Sequence, residues 1–242
     1  MRELVHVTGP DRVAFLQGLV TNQVGDAPVW AALLTPQGKY LADFLIVPRD
    51  QELLIDVDAR LAPDLLKRLT MYKLRSQVAL ARSDLGVARG TGPAPEGAIA
   101  DPRHPAMGWR LYGAPGDLPA DDGSDFDAIR VAHCIPESLI ELIPNETFIL
   151  EAGFERLHGV DFRKGCYVGQ EVTARMKHKT QLKKGLVSVG IEGAAPVGTP
   201  ILLPDGREAG TLFTQSGGRA IAHMRFDRMV DGLVAGDARI RV

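Results

Sequence analysis

The stretch Arg163-Lys164-Gly165-Cys166-Tyr167-Val168-Gly169-Gln170-Glu171 carries more information than any other in the 242-residue chain. Two glycines bracket a cysteine and a tyrosine. Glycine permits bends and close backbone approaches that a Cβ forbids, so the cysteine sits on a loop where one side of it can face solvent. Lys164 and Arg163 would favour its thiolate, the form that attacks electrophiles and binds soft metals. The chain stays basic downstream. From Arg163 to Lys184 stand Arg163, Lys164, Arg175, Lys177, Lys179, Lys183 and Lys184 against Glu171 alone, with His178 as a further titratable group. Such an excess in so short a span fits an anionic ligand or an acidic partner. Two readings of Cys166 stand here: a reactive thiol, or the small buried hydrophobe that a lone cysteine commonly is. Segment 170–176 reads as either helix or strand, with Val172, Ala174 and Met176 alternating as a strand would.

Composition bounds the rest. Hydrophobic residues make up 45% and charged residues 24%, with a net charge of -2, as in a globular protein of one large or two modest domains. The acidic overall balance and the lack of aromatics among the cations that follow Tyr167 argue against nucleic acid. No apolar run is long enough to cross a bilayer, and residues 1–11 hold no apolar signal core, so a cytoplasmic protein is expected. The two cysteines, Cys134 and Cys166, make neither a disulfide framework nor a four-ligand metal site. Cys134 falls in a helical pattern beside Ala132 and Ile135 and reads as core.

Outward from the cysteine loop the elements are mostly strands. Glu3–Thr8, Val29–Leu34, Tyr40–Val47, Leu53–Val57 and Gln77–Ala81 read as strands, with Pro36-Gln37-Gly38 as a turn. Asp11 reads as the N-cap of a helix carrying Phe15, Leu16, Leu19 and Val20, and Leu61–Leu74 as an amphipathic helix. Residues 86–124, dense in Gly, Pro and Asp, read as an irregular connection with one strand near Trp109–Tyr112. A helix follows from Ser124 and stops at Pro136. From Leu186 the pattern is short strands and Gly-rich turns, which points to a small barrel. The fold class expected is α+β with antiparallel sheets, divided into 1–181 and a C-terminal β-barrel over 182–242.

The run from Lys164 to Glu171 resembles the K-G-C-Y-x-G-Q-E signature of YgfZ-type proteins, with Arg175 also in place. The likeness extends to Pro144, Leu150, Glu151, Phe154, Gly159, Val160 and Phe162, and to Gly9-Pro10-Asp11, Phe15-Leu16-Gln17-Gly18 and Thr21-Asn22. It covers most of the chain outside 86–124, and Pro136-Glu137 is similar to the branch that includes the mitochondrial iron–sulfur assembly factor. Membership of the YgfZ/GcvT superfamily implies two α+β lobes around a central channel for tetrahydrofolate, a small C-terminal barrel, and a role in assembling or repairing iron–sulfur clusters. Cys166 would then contact a cluster shared with an assembly or client protein, since such clusters usually need four ligands.

The same resemblance places other site residues. Asp43, in the hairpin Gly38 to Phe44, matches an acid that faces the folate in aminomethyltransferases of the glycine cleavage system, although its alternation with Leu41 and Leu45 equally fits a solvent-facing position. Asn22, Lys164, Gly165, Tyr167, Gly169, Gln170, Glu171 and Arg175 are the further expected ligand contacts. Lys177, Lys179 and Lys183 would meet a folate's glutamate tail. Ala42 and Ala132 stand where aminomethyltransferases carry acids. An accessory factor is therefore expected first, and a tetrahydrofolate-dependent aminomethyltransferase second.

Overall fold

The computed structural model describes residues 1–179 and 181–242, without the side chain of Lys179. Its first layer is a five-stranded antiparallel sheet in the order β2-β3-β4-β1-β5. The strands are β1 (Arg2–Thr8), β2 (Val29–Leu34), β3 (Tyr40–Arg49), β4 (Glu52–Asp58) and β5 (Ala79–Arg82). Residues 40–47 of β3 are all buried, so both faces of the sheet are covered and simple alternation is lost. Helices α1 (Arg12–Gln17) and α2 (Ala62–Lys73) join this layer. Helix α1 is shorter than its apolar spacing predicts: Val20 leaves it to bridge Leu33. Asp11 takes the N-cap position but makes no side-chain cap. Its carboxylate accepts instead from the Gln77 amide at 2.7 Å, which diverts Gln77 and starts β5 two residues later than expected.

The segment read as an irregular connection is a three-stranded sheet of β6 (Gly86–Gly90), β7 (Ile99–Ala100) and β8 (Trp109–Gly113), in the order β6-β8-β7. The expectation of a single strand there is corrected, and the reason is physical. This sheet is anchored by charge rather than by an apolar stripe. Arg110 of β8 is buried and donates to Asp56 of β4 at 2.8 Å and to Asp101 at 2.9 Å. Helix α3 (Phe126–His133) follows, capped by Asp125, and ends where Cys134 takes φ 51°, two residues before Pro136.

Helix α4 (Gln170–Lys179) resolves the ambiguous segment 170–176 as helix. Six strands then close a barrel in the order β10-β11-β12-β9-β14-β13. These are β9 (Lys184–Glu192), β10 (Pro200–Leu202), β11 (Glu208–Ser216), β12 (Arg219–Arg225), β13 (Leu233–Ala235) and β14 (Ala238–Arg241). The three-residue β13 was not legible in the sequence. Val189, Ile201, Leu212, Met224 and Ile240 fill the barrel's own core, apart from the main core, as in small closed barrels.

Candidate functional site around Cys166

Cys166 is exposed, so the buried reading is excluded. Two contacts hold the loop that presents it. On its N-terminal side Lys164 turns inward, 6% exposed. Its ammonium donates to the carbonyls of Gln17 and Val20 at 2.7 and 2.5 Å, just past the end of α1. Burial pulls the Lys164 pKa down to about 8. Those carbonyls are unpaired acceptors at a helix end, where cations are favoured, so Lys164 is a strut between loop and body. The expectation that its charge lies over the thiol, or holds a ligand, is corrected: the ammonium is spent on backbone. On the C-terminal side Gly169 has φ 81°, and a Cβ there would lie 2.5 Å from the Thr35 carbonyl. Only glycine allows the start of α4 to pass this close to the β2–β3 hairpin.

The other motif residues divide by exposure. Tyr167 is buried, with the Lys164 ammonium 5.0 Å from its ring centroid, and belongs to the core. Gly165 has open space around it. Glu171 lies in the first turn of α4, where an acid complements the helix dipole. Glu171 and Arg175 are exposed and Gln170 half-buried. Around the thiol, Arg163 is 97% exposed at its side chain. Arg175 and Lys183 are exposed and make no ion pair among the described residues. Lys177 is paired with Glu155 and Lys184 with Glu151. Lys179's side chain lies outside the described residues. Fewer exposed and unpaired cations stand among the described residues than the seven-cation count implies.

Asp43 does not face solvent. It is 3% exposed and accepts from Trp30 Nε1 at 2.9 Å, Tyr40 Oη at 2.7 Å and Ser138 Oγ at 2.7 Å. Burial first, and then the neighbouring carboxylate, push the Tyr40 pKa well up. Asn22 donates to the carbonyls of Trp30 and His158 at 2.8 and 2.6 Å and accepts from the Gln23 amide. Both side chains are thus consumed inside the protein, and none of the cavities described here is lined by Asp43. Asn22 borders a surface cleft of about 360 Å³ together with His158, Asp161 and Arg163. Ala132 is exposed on α3. These residues do not fit a folate held by Asp43 and Asn22.

Sequence reasoning missed Ser138, 95 residues from Asp43, and the carbonyls that seat Lys164, 147 and 144 residues away. No local signal marks either. Cys134 is partly buried, and burial pushes its thiol up to about 11, which leaves Cys166 as the thiol available for chemistry. Among the described residues no group of three or more His, Cys, Asp or Glu is arranged to hold a metal ion.

Comparisons with known proteins agree with this architecture. Residues 183–242 match the family model described as the CAF17 C-terminal beta-barrel domain. The solved aminomethyltransferase T of the glycine cleavage system from Bartonella henselae has the same fold, with a TM-score of 0.74 over 99% of this chain and 81% of that one, at 11% identity. The iron-sulfur cluster assembly factor IBA57 homolog of Coccidioides immitis is 30% identical over 98% of this chain and 72% of its own length. Its counterparts from Neurospora crassa and Mus musculus are each 34% identical over 81% of this chain. The chain spans little more than half of the Neurospora crassa relative, 54% of its length. All three are named as mitochondrial, which overturns the expectation of a cytoplasmic protein; that expectation rested on the lack of a bilayer-length run and of an apolar signal core, and mitochondrial targeting needs neither. By overall sequence and by fold, this chain belongs to the family of iron-sulfur cluster assembly factors named IBA57, within the YgfZ/GcvT superfamily.

Proposed function

We propose that this protein assists iron–sulfur cluster assembly by offering the Cys166 thiolate as one ligand to a cluster whose other ligands come from a partner. The observation that carries the proposal is the exposed thiol on a loop seated by Lys164 and Gly169, with no group of three or more His, Cys, Asp or Glu arranged for a metal ion among the described residues. Thiolates are the usual ligands of such clusters, and four are usually needed. A single protein sulfur therefore suits transient sharing or hand-over rather than storage. The cluster is cargo. The exposed cations Arg163, Arg175 and Lys183 would steer an acidic partner toward the thiol. The names of the relatives support the same reading. No step is routed through tetrahydrofolate, because Asp43 is buried with both oxygens already accepting from the protein and Asn22 has both amide N–H groups spent on backbone carbonyls. The same geometry removes support from an aminomethyltransferase, which would need a free carboxylate beside its carrier.

The test is a deletion strain carrying either wild-type or Cys166→Ala protein, assayed for the activity of [4Fe-4S] enzymes. Wild type is expected to restore activity and the alanine variant to fail while remaining folded. Full rescue by Cys166→Ala would remove the thiol from the mechanism. Anaerobic reconstitution of the purified chain should yield less than a stoichiometric cluster; a full complement on the monomer would contradict sharing. Calorimetry with tetrahydrofolate should show no binding heat that Asp43→Ala abolishes.

A further inference from the structure

A cleft of about 750 Å³ opens beside the end of α2, lined by Asp11, Tyr72, Leu74, Arg75 and Ser76. Its apolar residues are displayed, not buried: Leu74 is 88% exposed, Met71 68% and Tyr72 38%. Leu74 takes φ 43° and ψ -107°, a conformation that costs a β-carbon-bearing residue free energy and that glycine would adopt cheaply. A strained backbone thus carries an apolar side chain into water. Strain of this kind persists where function selects it. Arg75 lines the cleft, Lys73 stands between Tyr72 and Leu74 in the chain and Lys67 one turn before Met71 on α2; the three make no ion pair among the described residues. Asp64 is paired with Arg68, and Asp11, which accepts from the neutral Gln77 amide, is one negative group set against three positive ones.

The patch lies at one end of α1 and the Cys166 loop at the other. Asp11, at the N-terminus of α1, lines the cleft. The Gln17 carbonyl, at its C-terminus, seats Lys164, two residues before the thiol. Six residues of helix span about 9 Å. The outward face between them is uncharged and exposed at Val13, Ala14 and Gly18. A stable interface takes about 20–30 residues a side, several times what the loop offers by itself.

We infer that this apolar, cation-rimmed cleft and the outer face of α1 form the docking surface for an acidic protein partner, the same partner that completes the ligand set at Cys166. The inference rests on the partner proposed above. The partner's acidic residues meet Lys67, Lys73 and Arg75, and an apolar anchor of the partner enters beside Leu74 and Tyr72. Docking at the cleft anchors the partner one short helix away from Cys166, close enough for its own thiolates to reach the cluster held there.

The test uses the full chain as the only copy in its cells, with the photo-crosslinking residue p-benzoylphenylalanine placed in turn at Leu74, at Arg163 beside the thiol, and at Val197 on the barrel. Leu74 and Arg163 are expected to yield the same adduct, an acidic protein containing cysteines, and Val197 is not. Charge reversal by Lys73→Glu with Arg75→Glu should abolish the Leu74 adduct without changing the circular dichroism. With that protein purified, Leu74→Gly should raise the melting temperature of the chain by about 2 °C and weaken binding by about tenfold or more. A Leu74 adduct that is a second copy of the chain, or that differs from the Arg163 adduct, overturns the inference, as does unchanged affinity in Leu74→Gly. If Cys166→Ala rescues the deletion strain while the Leu74 adduct persists, the docking surface stands and the ligand role of Cys166 falls.

Discussion

Cys166 and Lys164, two residues apart, have opposite fates. The thiol is in solvent and the ammonium is inside, on two carbonyls. Burial disfavours the charged form of a lysine, so Lys164 should release its proton near pH 8 rather than near the usual value of about 10.4. Heteronuclear NMR of the lysine Cε–Nζ group reads this directly. The linkage has a definite sign. Between pH 8 and the unfolded value the unfolded chain binds more protons than the folded one, so wild-type stability should rise with pH across that window. Lys164→Met should lack that rise, and urea unfolding at a series of pH values checks it. Asp43 is a second inward residue. Asp43→Ala leaves the Trp30, Tyr40 and Ser138 donors without their acceptor, and a loss of about 3 kcal/mol or more in urea unfolding is expected.

At the scale of elements, the two glycines of the motif do different work. Gly169 passes against the Thr35 carbonyl at φ 81°, and a Cβ there would approach it to 2.5 Å. Gly165 has nothing within 4 Å. Gly169→Ala should therefore cost about 2 kcal/mol or more and loosen the seat of α4 on the β2–β3 hairpin, seen as faster amide exchange in 170–179. Gly165→Ala should stay within about 0.5 kcal/mol of wild type. The sequence shows two equivalent small residues; only the neighbour 134 positions upstream, in the β2–β3 turn, separates them. Helix α4 teaches the same lesson: half-buried Val172 packs against Gly38 of that turn, a contact that the local alternation does not reveal.

At the scale of the whole molecule, buried ion pairs tie the parts together. Arg2 and Arg110 meet on Asp56, Arg110 and Arg103 on Asp101, and Arg130 meets Glu141 at 2.6 Å. Glu137 lies 3.9 Å from Arg103 and 3.8 Å from Arg130, and Glu141 accepts from Thr214 of β11. The chain of charges thus runs from the five-stranded sheet through the three-stranded sheet and α3 to the barrel. Burial by itself would raise the carboxyl pKa values of Asp56, Asp101 and Glu137, but the guanidiniums overcome it and hold all three below the usual range. Depressed carboxylates contribute stability that is fully present above their unfolded values, about 3.9 for Asp and 4.3 for Glu. That contribution is lost as pH falls through the folded values. Thermal unfolding should therefore be flat in this respect above about pH 5 and weaken steeply below about pH 4. Asp101→Asn leaves Arg110 with Asp56 alone and Arg103 with only the more distant Glu137, and should cost about 3 kcal/mol, read by urea unfolding at neutral pH.

By itself the sequence determined the strands of the first sheet, the helices α2 and α3, the barrel and the presence of a glycine-flanked cysteine loop; that the thiol is exposed came from the structure. The features read from sequence rest on short-range physics: alternation, helical spacing, and glycine or proline at turns. The tertiary structure alone decided where charge goes. It turned Lys164 inward, closed Asp43 behind Trp30, Tyr40 and Ser138, and built a sheet from Gly86–Gly113 around Arg110. A buried polar group is stable only with its partners in place, and these partners lie tens of residues away, where no local pattern can reach.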